Sequence, residues 1–234
     1  MTFADKVIEF IEQLTCDGIR LPAGIRIMNP YREDSQAMKI AETFYHKFYN
    51  DNNPRSMILG INPGRFGGGV TGIPFTDTKR LQSECGIAYN GKTTHEPSSV
   101  FVYEMINAFG GVEKFYSRFY INSVFPLGLT ASDEKGKEKN YNYHDSKELL
   151  LALRESITDN ISKQVALGIH TGVCFCFGTG KNEDFLRKLN EQHGFFKKIV
   201  ALEHPRFIVQ YKSRFSQYYI EKYIAAFNDQ DLLG

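Results

Sequence analysis

No single sign of charge dominates this chain: 28 Lys and Arg face 27 Asp and Glu, a formal net charge of +1. No strong overall field draws it onto nucleic acid or a membrane surface, although a local basic patch is compatible with that balance. Long apolar runs are missing, and none approaches the about 20 residues that a spanning helix needs. The opening Met1-Thr2-Phe3-Ala4-Asp5-Lys6 is no signal peptide, because acidic residues interrupt the would-be apolar segment. Cysteine is scarce. Cys16, Cys85, Cys174 and Cys176 show no disulfide framework, so reduced thiols in a cytoplasmic protein are expected. Neither a repeat nor a domain-scale linker is visible. With 42% apolar and 24% charged residues over a length of 234, the composition fits one globular domain, 1–234, with ample core.

The hydrophobic period predicts helices over 3–14 and 35–49, with a short extended piece at Ile25 to Met28 between them. An apolar run, Ser56 to Leu59, reads as a buried strand. Residues 76–99 are polar and irregular, a long excursion of the kind that shapes a site. A helix capped by Ser98 or Ser99 runs to Phe109, stopped by Gly110-Gly111, and a short one covers 112–117. A strand follows at Phe119 to Asn122. Ala131 to Asn142 reads as a charged, flexible loop. The remaining pattern is a helix over 145–168, a strand over Gly172 to Phe177, a helix over 181–192, a strand over Lys198 to Leu202 and a helix over 213–227. Near-continuous apolar strands alternating with helices predict an α/β fold. Its form is a three-layer α/β/α sandwich with a central, mostly parallel four-stranded sheet.

The most informative stretch is Gly60-Ile61-Asn62-Pro63-Gly64-Arg65-Phe66-Gly67-Gly68-Gly69-Val70-Thr71-Gly72-Ile73-Pro74-Phe75. Pro63 cannot donate to a ladder and Gly64 permits a tight turn, so the strand ends there. Asn62 therefore sits at the carboxyl end of a strand, where open α/β sheets bind ligands. His204 holds the same position after the last strand, ahead of Pro205. Asn122 holds it after another, in Asn122-Ser123-Val124-Phe125-Pro126-Leu127. An asparagine or histidine at a strand end is by itself more often just a turn residue. Three of them, all aimed at one crevice, favour a ligand site.

Asn-Pro-Gly-x-Phe-Gly-x-x-x-Thr-Gly-x-Pro-Phe at 62–75 resembles the first motif of the single-strand-selective monofunctional uracil-DNA glycosylases. The Asn-x-x-x-Pro-Leu at 122–127 and the His-Pro at 204–205 resemble two further segments of that family. The resemblance implies an enzyme that flips a damaged nucleotide out of DNA and hydrolyses its N-glycosidic bond. It implies that Asn62 positions the attacking water and His204 hydrogen-bonds the leaving base. Ile61, Gly64 and Phe66 would line the base pocket, Phe75 would stack on the base and Asn122 would pair with its edge. An asparagine amide both donates and accepts, which suits uracil and mismatches cytosine. A DNA-contacting rim is expected at Pro205, Arg206, Lys212 and Arg214, with Lys181 at a helix start. No metal and no cofactor is called for, and a monomer acting on uracil-containing DNA is expected. No lysine stands in these motifs to form a Schiff base, so no strand-cleaving step is expected.

Some features depart from the family or mislead. A Ser-Pro-Arg wedge usually follows the family's His-Pro; here Arg206-Phe207-Ile208-Val209-Gln210 follows. Gly68-Gly69 replaces larger residues, which suggests a roomier pocket admitting xanthine, hypoxanthine or 5-substituted uracil. Gly67-x-Gly69-x-x-Gly72 matches a dinucleotide fingerprint by letter, but Pro63 and Pro74 flank it and no helix is expected to open there. Gly178-Thr179-Gly180-Lys181 lacks the serine or threonine that would hold magnesium, since Asn182 stands there. Cys174 and Cys176 alternate on a buried strand and read as core. His46, His95, His144, His170 and His193 have no motif context. The competing readings are a glycosylase for deaminated purines and a non-catalytic nucleic-acid-binding module. An unrelated α/β hydrolase would need a Gly-x-Ser-x-Gly elbow, which is absent.

Overall fold

A computed structural model describes residues 1–133 and 135–229. In chain order the elements are α1 (Phe3–Glu12), β1 (Ile25–Met28), α2 (Pro30–Glu33), α3 (Ser35–Phe48), β2 (Ser56–Gly60), α4 (Gly68–Thr71), α5 (Thr78–Ser83), α6 (Pro97–Phe109) and α7 (Val112–Arg118). They continue with β3 (Phe119–Ser123), β4 (Gly128–Ser132), β5 (Glu138–Asn140), α8 (Lys147–Ala166), β6 (His170–Phe177), α9 (Lys181–His193), β7 (Lys198–Leu202), α10 (Pro205–Tyr211) and α11 (Ser216–Asn228).

Four strands form a fully parallel sheet in the order β3-β2-β6-β7. All five residues of β2 and of β3 are buried, as strands covered on both faces must be. Successive side chains of a strand point to opposite faces, and β3 shows where each face leads. The Phe119 ring lies 4.7 Å from Phe227 of α11, whereas the next ring, Tyr120, lies 5.4 Å from Phe3 of α1. On β6, Phe175 and Phe177 join the α11 side, 4.9 Å from Phe227 and 5.0 Å from Tyr223 respectively. Helices thus cover both faces, and the expected three-layer sandwich is the fold observed. Arg55, fully buried just before β2, is held by Asp51 at 2.9 Å and by the carbonyl of Tyr116 at 2.6 Å. A buried cation is tolerated only with such partners.

Several local expectations are corrected. The segment 131–142 is not a flexible loop. Position 134 lies outside the described residues, but β4 and β5 pair antiparallel on either side of it, and β4 pairs with β1. Asp133 closes the turn by accepting the amide hydrogens of Lys135 at 3.0 Å and Lys137 at 2.9 Å. The period gave no warning, because a three-residue polar strand has no hydrophobic alternation and β1, the other partner of β4, is distant in sequence. A one-turn helix, α4, does open between Pro63 and Pro74, ended by Gly72 in the left-handed region at φ 72°. The helix α6 begins at Pro97, with Glu96 rather than a serine at its cap position. Its Ser99 instead accepts the amide hydrogen of Asp77. Residues 205–211 form a separate helix, α10, and the closing helix starts at Ser216 after a single 3-10 turn over Ser213–Phe215.

Candidate active site

Parallel strands deliver their carboxyl ends to one edge of the sheet, and the crevice opens where strand order reverses. There β2 leads into Ile61-Asn62 and β7 into His204. Ile61, Asn62, Gly64, Phe66, His204 and Arg206 line a single cavity of about 560 Å³. Asn62 and His204, far apart along the chain, are thus brought together as expected. The 61–62 turn is fixed to the neighbouring strand, since the amide of Phe125 donates to the Ile61 carbonyl at 3.1 Å.

The Asn62 amide is tethered at both ends. Its Nδ2 donates to the Tyr141 carbonyl at 3.0 Å, and its Oδ1 accepts from the amide of Tyr143 at 3.1 Å. One hydrogen and one lone pair stay available. The β5 segment is therefore the clamp that sets the orientation of this side chain. Asn140, at the end of β5, also accepts the amide hydrogen of Arg65 at 3.1 Å.

His204 occupies the cap position of α10, and its Nδ1 accepts the amide hydrogen of Arg206 at 3.1 Å. A ring nitrogen that accepts carries no proton, so the neutral imidazole carries it on Nε2. Burial, reinforced by the Arg206 charge, lowers the His204 pKa to about 4. The ring is consequently a neutral donor at physiological pH, not a cation.

Phe75 lies behind that ring, 5.8 Å from it centre to centre and 5.7 Å from Phe177 at the end of β6. Its backbone has φ 55°, a left-handed conformation costly for a bulky side chain. Gly60 makes the placement possible: a Cβ there would stand 2.6 Å from Phe75 Cζ. Phe75 is not among the cavity-lining residues, but it supports the histidine ring.

Glu96 carries no expected role, yet its carboxylate lies inside the cavity. A Cβ on Gly64 would fall 2.3 Å from its Oε1 and one on Gly67 1.7 Å from its Oε2, so those glycines make room for it. Among the described residues the carboxylate accepts no hydrogen bond, while the Glu96 amide donates to Asp77 at 2.7 Å. Burial and the neighbouring Asp77 raise its pKa to about 7, and Arg206 opposes them. The signal for Glu96 was the 76–99 excursion itself. Its neighbour His95 also lines the cavity and places Nδ1 2.8 Å from Arg80 Nη1, so it has a context its sequence surroundings did not supply. Lys139 of β5 stands at the cavity too.

The Gly68-Gly69 reading is corrected. Cβ atoms there would meet the Ile73 carbonyl at 3.1 Å and the Gly64 carbonyl at 2.9 Å, so these glycines permit backbone packing and do not widen the pocket. Asn122 is 4% exposed, paired in register with Leu59 of β2, and is not among the residues that line this cavity. Its Nδ2 donates to the Tyr120 hydroxyl and its Oδ1 accepts from the Ser123 amide, both at 2.8 Å. Pro205 is buried as the first residue of α10. Lys181 lies elsewhere, in a cavity of about 340 Å³ between α8 and α9 with Lys147 and Lys188. Arg214 lines another, with Glu104 of α6, and Lys212 ends α10. Asn182 is structural: it accepts from the Tyr143 hydroxyl at 2.7 Å and donates to the Phe177 carbonyl at 3.2 Å. Cys174 and Cys176 are buried on β6.

The sequence matches the family described as the uracil DNA glycosylase superfamily over residues 46–228. Among solved structures, the fold is similar to the crystal structure of wild-type Pedobacter heparinus SMUG2. The TM-score is 0.96 at 64% sequence identity, with 99% of each chain covered. A comparison with curated proteins finds no match.

Proposed function

Because this chain belongs to the uracil DNA glycosylase superfamily, we propose that it is a monofunctional glycosylase that hydrolyses the N-glycosidic bond of uracil in DNA, as one domain acting as a monomer. The observation that carries the reading is the shared cavity of Asn62 and His204, with the imidazole held neutral and protonated on Nε2.

As the glycosidic bond stretches, positive charge grows on the sugar and negative charge on the base. The Nε2 hydrogen of His204 donates to the O2 of the departing uracil. A fixed donor aimed at developing charge contributes about 2.7–4 kcal/mol in comparable sites. Neutrality suits this role, because the Nε2 hydrogen of a neutral imidazole is far less acidic than that of an imidazolium, so the ring donates a hydrogen bond while keeping its proton. Asn62 uses its remaining hydrogen or lone pair to orient the water. A cation-like sugar needs an aligned nucleophile more than a strong base, and the two backbone tethers supply the alignment. Ile61, Gly64 and Phe66 wall the flipped base, and Phe75 holds the His204 ring from behind. Extrusion of the base costs a few kcal/mol, which contacts within the cavity help offset. Arg206 at the cavity contacts a DNA phosphate, with Lys212 and Arg214 beyond it extending the rim, whereas Lys181, in the separate cavity between α8 and α9, takes no part.

The test is base release from a panel of single-lesion oligonucleotides. Uracil is expected to be released fastest, leaving an intact abasic strand. Faster release of xanthine or hypoxanthine would move the assignment to deaminated purines. Asn62→Ala should lose most of the rate and still bind DNA; a variant with the full rate would remove Asn62 from the mechanism.

A further inference from the structure

The residues beyond the cavity carry an arrangement that base excision does not use. From Arg206 the chain runs along α10, through the 3-10 turn and into α11. On this stretch Phe207 is 40% exposed, Tyr211 65%, Phe215 60% and Tyr218 61%. Among the described residues only seven large apolar side chains are exposed to this degree, and four of them fall here. Such concentration is not the scatter of an ordinary surface. Pro205 and Ile208 are buried and seat α10 on the body of the protein, which turns positions 207 and 211 outward. These two are one helical turn apart, with ring centres 5.5 Å from each other. Arg206, Lys212 and Arg214 are interleaved with the aromatics, and none forms an ion pair among the described residues.

We propose that Phe207 and Tyr211, with Phe215 and Tyr218 beyond them, form a stacking ridge for unpaired bases of the DNA strand adjoining the flipped nucleotide. Arg206, Lys212 and Arg214 neutralise its phosphates. The proposal rests on the glycosylase reading for the position of the strand. Two features select nucleic acid over an apolar protein partner. The exposed side chains are all aromatic, so each offers a face on which any base can stack. Three cations flank the aromatics along the same stretch, and the ridge begins at Arg206, which already lines the cavity. Bases held in a duplex cannot reach such a ridge, so it favours single-stranded substrate.

The test uses the full chain and single-stranded oligonucleotides with 2-aminopurine at each position flanking a non-cleavable uracil analogue. Wild-type protein should quench that fluorescence at one flank. Phe207→Ala and Tyr211→Ala should lose the quenching and raise the single-strand Kd roughly ten- to a hundred-fold, with a smaller effect on duplex. Tyr211→Phe should retain wild-type behaviour, because the stacking face and not the hydroxyl is at work. Leu151→Ala, an exposed apolar side chain on α8, serves as the control without effect. Alanine variants that keep their melting temperature and still quench and bind as wild type overturn the ridge. Failure of wild-type protein to release uracil from any oligonucleotide refutes the glycosylase reading instead; quenching by oligonucleotides without a lesion would still report the ridge.

Discussion

The amide of Arg206 donates to Nδ1 of His204 at 3.1 Å. One backbone hydrogen bond, made because the histidine caps the helix that follows it, decides which nitrogen of the ring is a donor. The same bond resists protonation, since a charged ring would have to give up that acceptor.

With its pKa near 4 against an ordinary 6.5, the folded protein binds fewer protons at His204 than the unfolded chain between those values. Stability from this group is therefore complete above pH 6.5 and is lost as pH falls toward 4. Nitrogen chemical shifts should show a neutral ring protonated on Nε2 down to about pH 5. His204→Ala should lose about 10²–10³ in rate while binding DNA. A ring that titrates near 6.5, or a variant with the wild-type rate, contradicts the donor role.

Glu96 shifts the other way. Its carboxyl is raised from 4.5 to about 7, so the folded protein holds the extra proton between those values and stability falls as pH rises through the window. Glu96→Gln keeps the shape and abolishes the ionisation. The wild-type melting temperature should decline relative to the variant between pH 5 and 8, and its DNA affinity should decline with it, as a carboxylate forms beside incoming phosphates. Asp77, Arg80, His95, Arg65, Lys139, His204 and Arg206 surround the group and must be unchanged in the comparison. A difference between the two proteins that does not vary with pH would assign the titration elsewhere.

Gly60 gives the Phe75 ring its place. A methyl group there would stand 2.6 Å from Cζ, so Gly60→Ala must displace the ring and with it the support of His204. An ångström of misplacement costs about 10²-fold in rate. The expected outcome is a folded protein with activity reduced on that scale, read from single-turnover release. Wild-type activity would show that the Phe75 position is not needed.

Lys139 stands at the cavity although no lysine occurs in the sequence motifs. Borohydride added during turnover should trap no covalent protein–DNA adduct, and the product strand should remain uncut until treated with base. An adduct that disappears in Lys139→Ala would replace the monofunctional assignment with a lyase.

Much of this architecture was legible in the order of residues. Apolar runs at 56–59 and 172–177 specify buried parallel strands, because a strand covered on both faces needs no polar alternation, and the run at 198–202 specifies the partly exposed edge strand beside them. A strand that meets Asn-Pro-Gly must end, so the positions of Asn62 and His204 at one edge of the sheet follow from local chemistry. What required the folded chain is everything that depends on contacts between distant segments. The clamp on Asn62 comes from Tyr141 and Tyr143, in a stretch whose polar residues look like a loop until β1 and β4 pair with each other. Glu96 enters the cavity only because Gly64 and Gly67 vacate the space it fills. The tautomer of His204 follows from the local cap bond to Arg206, but the displaced pKa values of His204 and Glu96 arise chiefly from burial, with Asp77 adding to the shift at Glu96. Local composition specifies which elements form; the dielectric and the hydrogen-bond partners of a side chain exist only once those elements have packed.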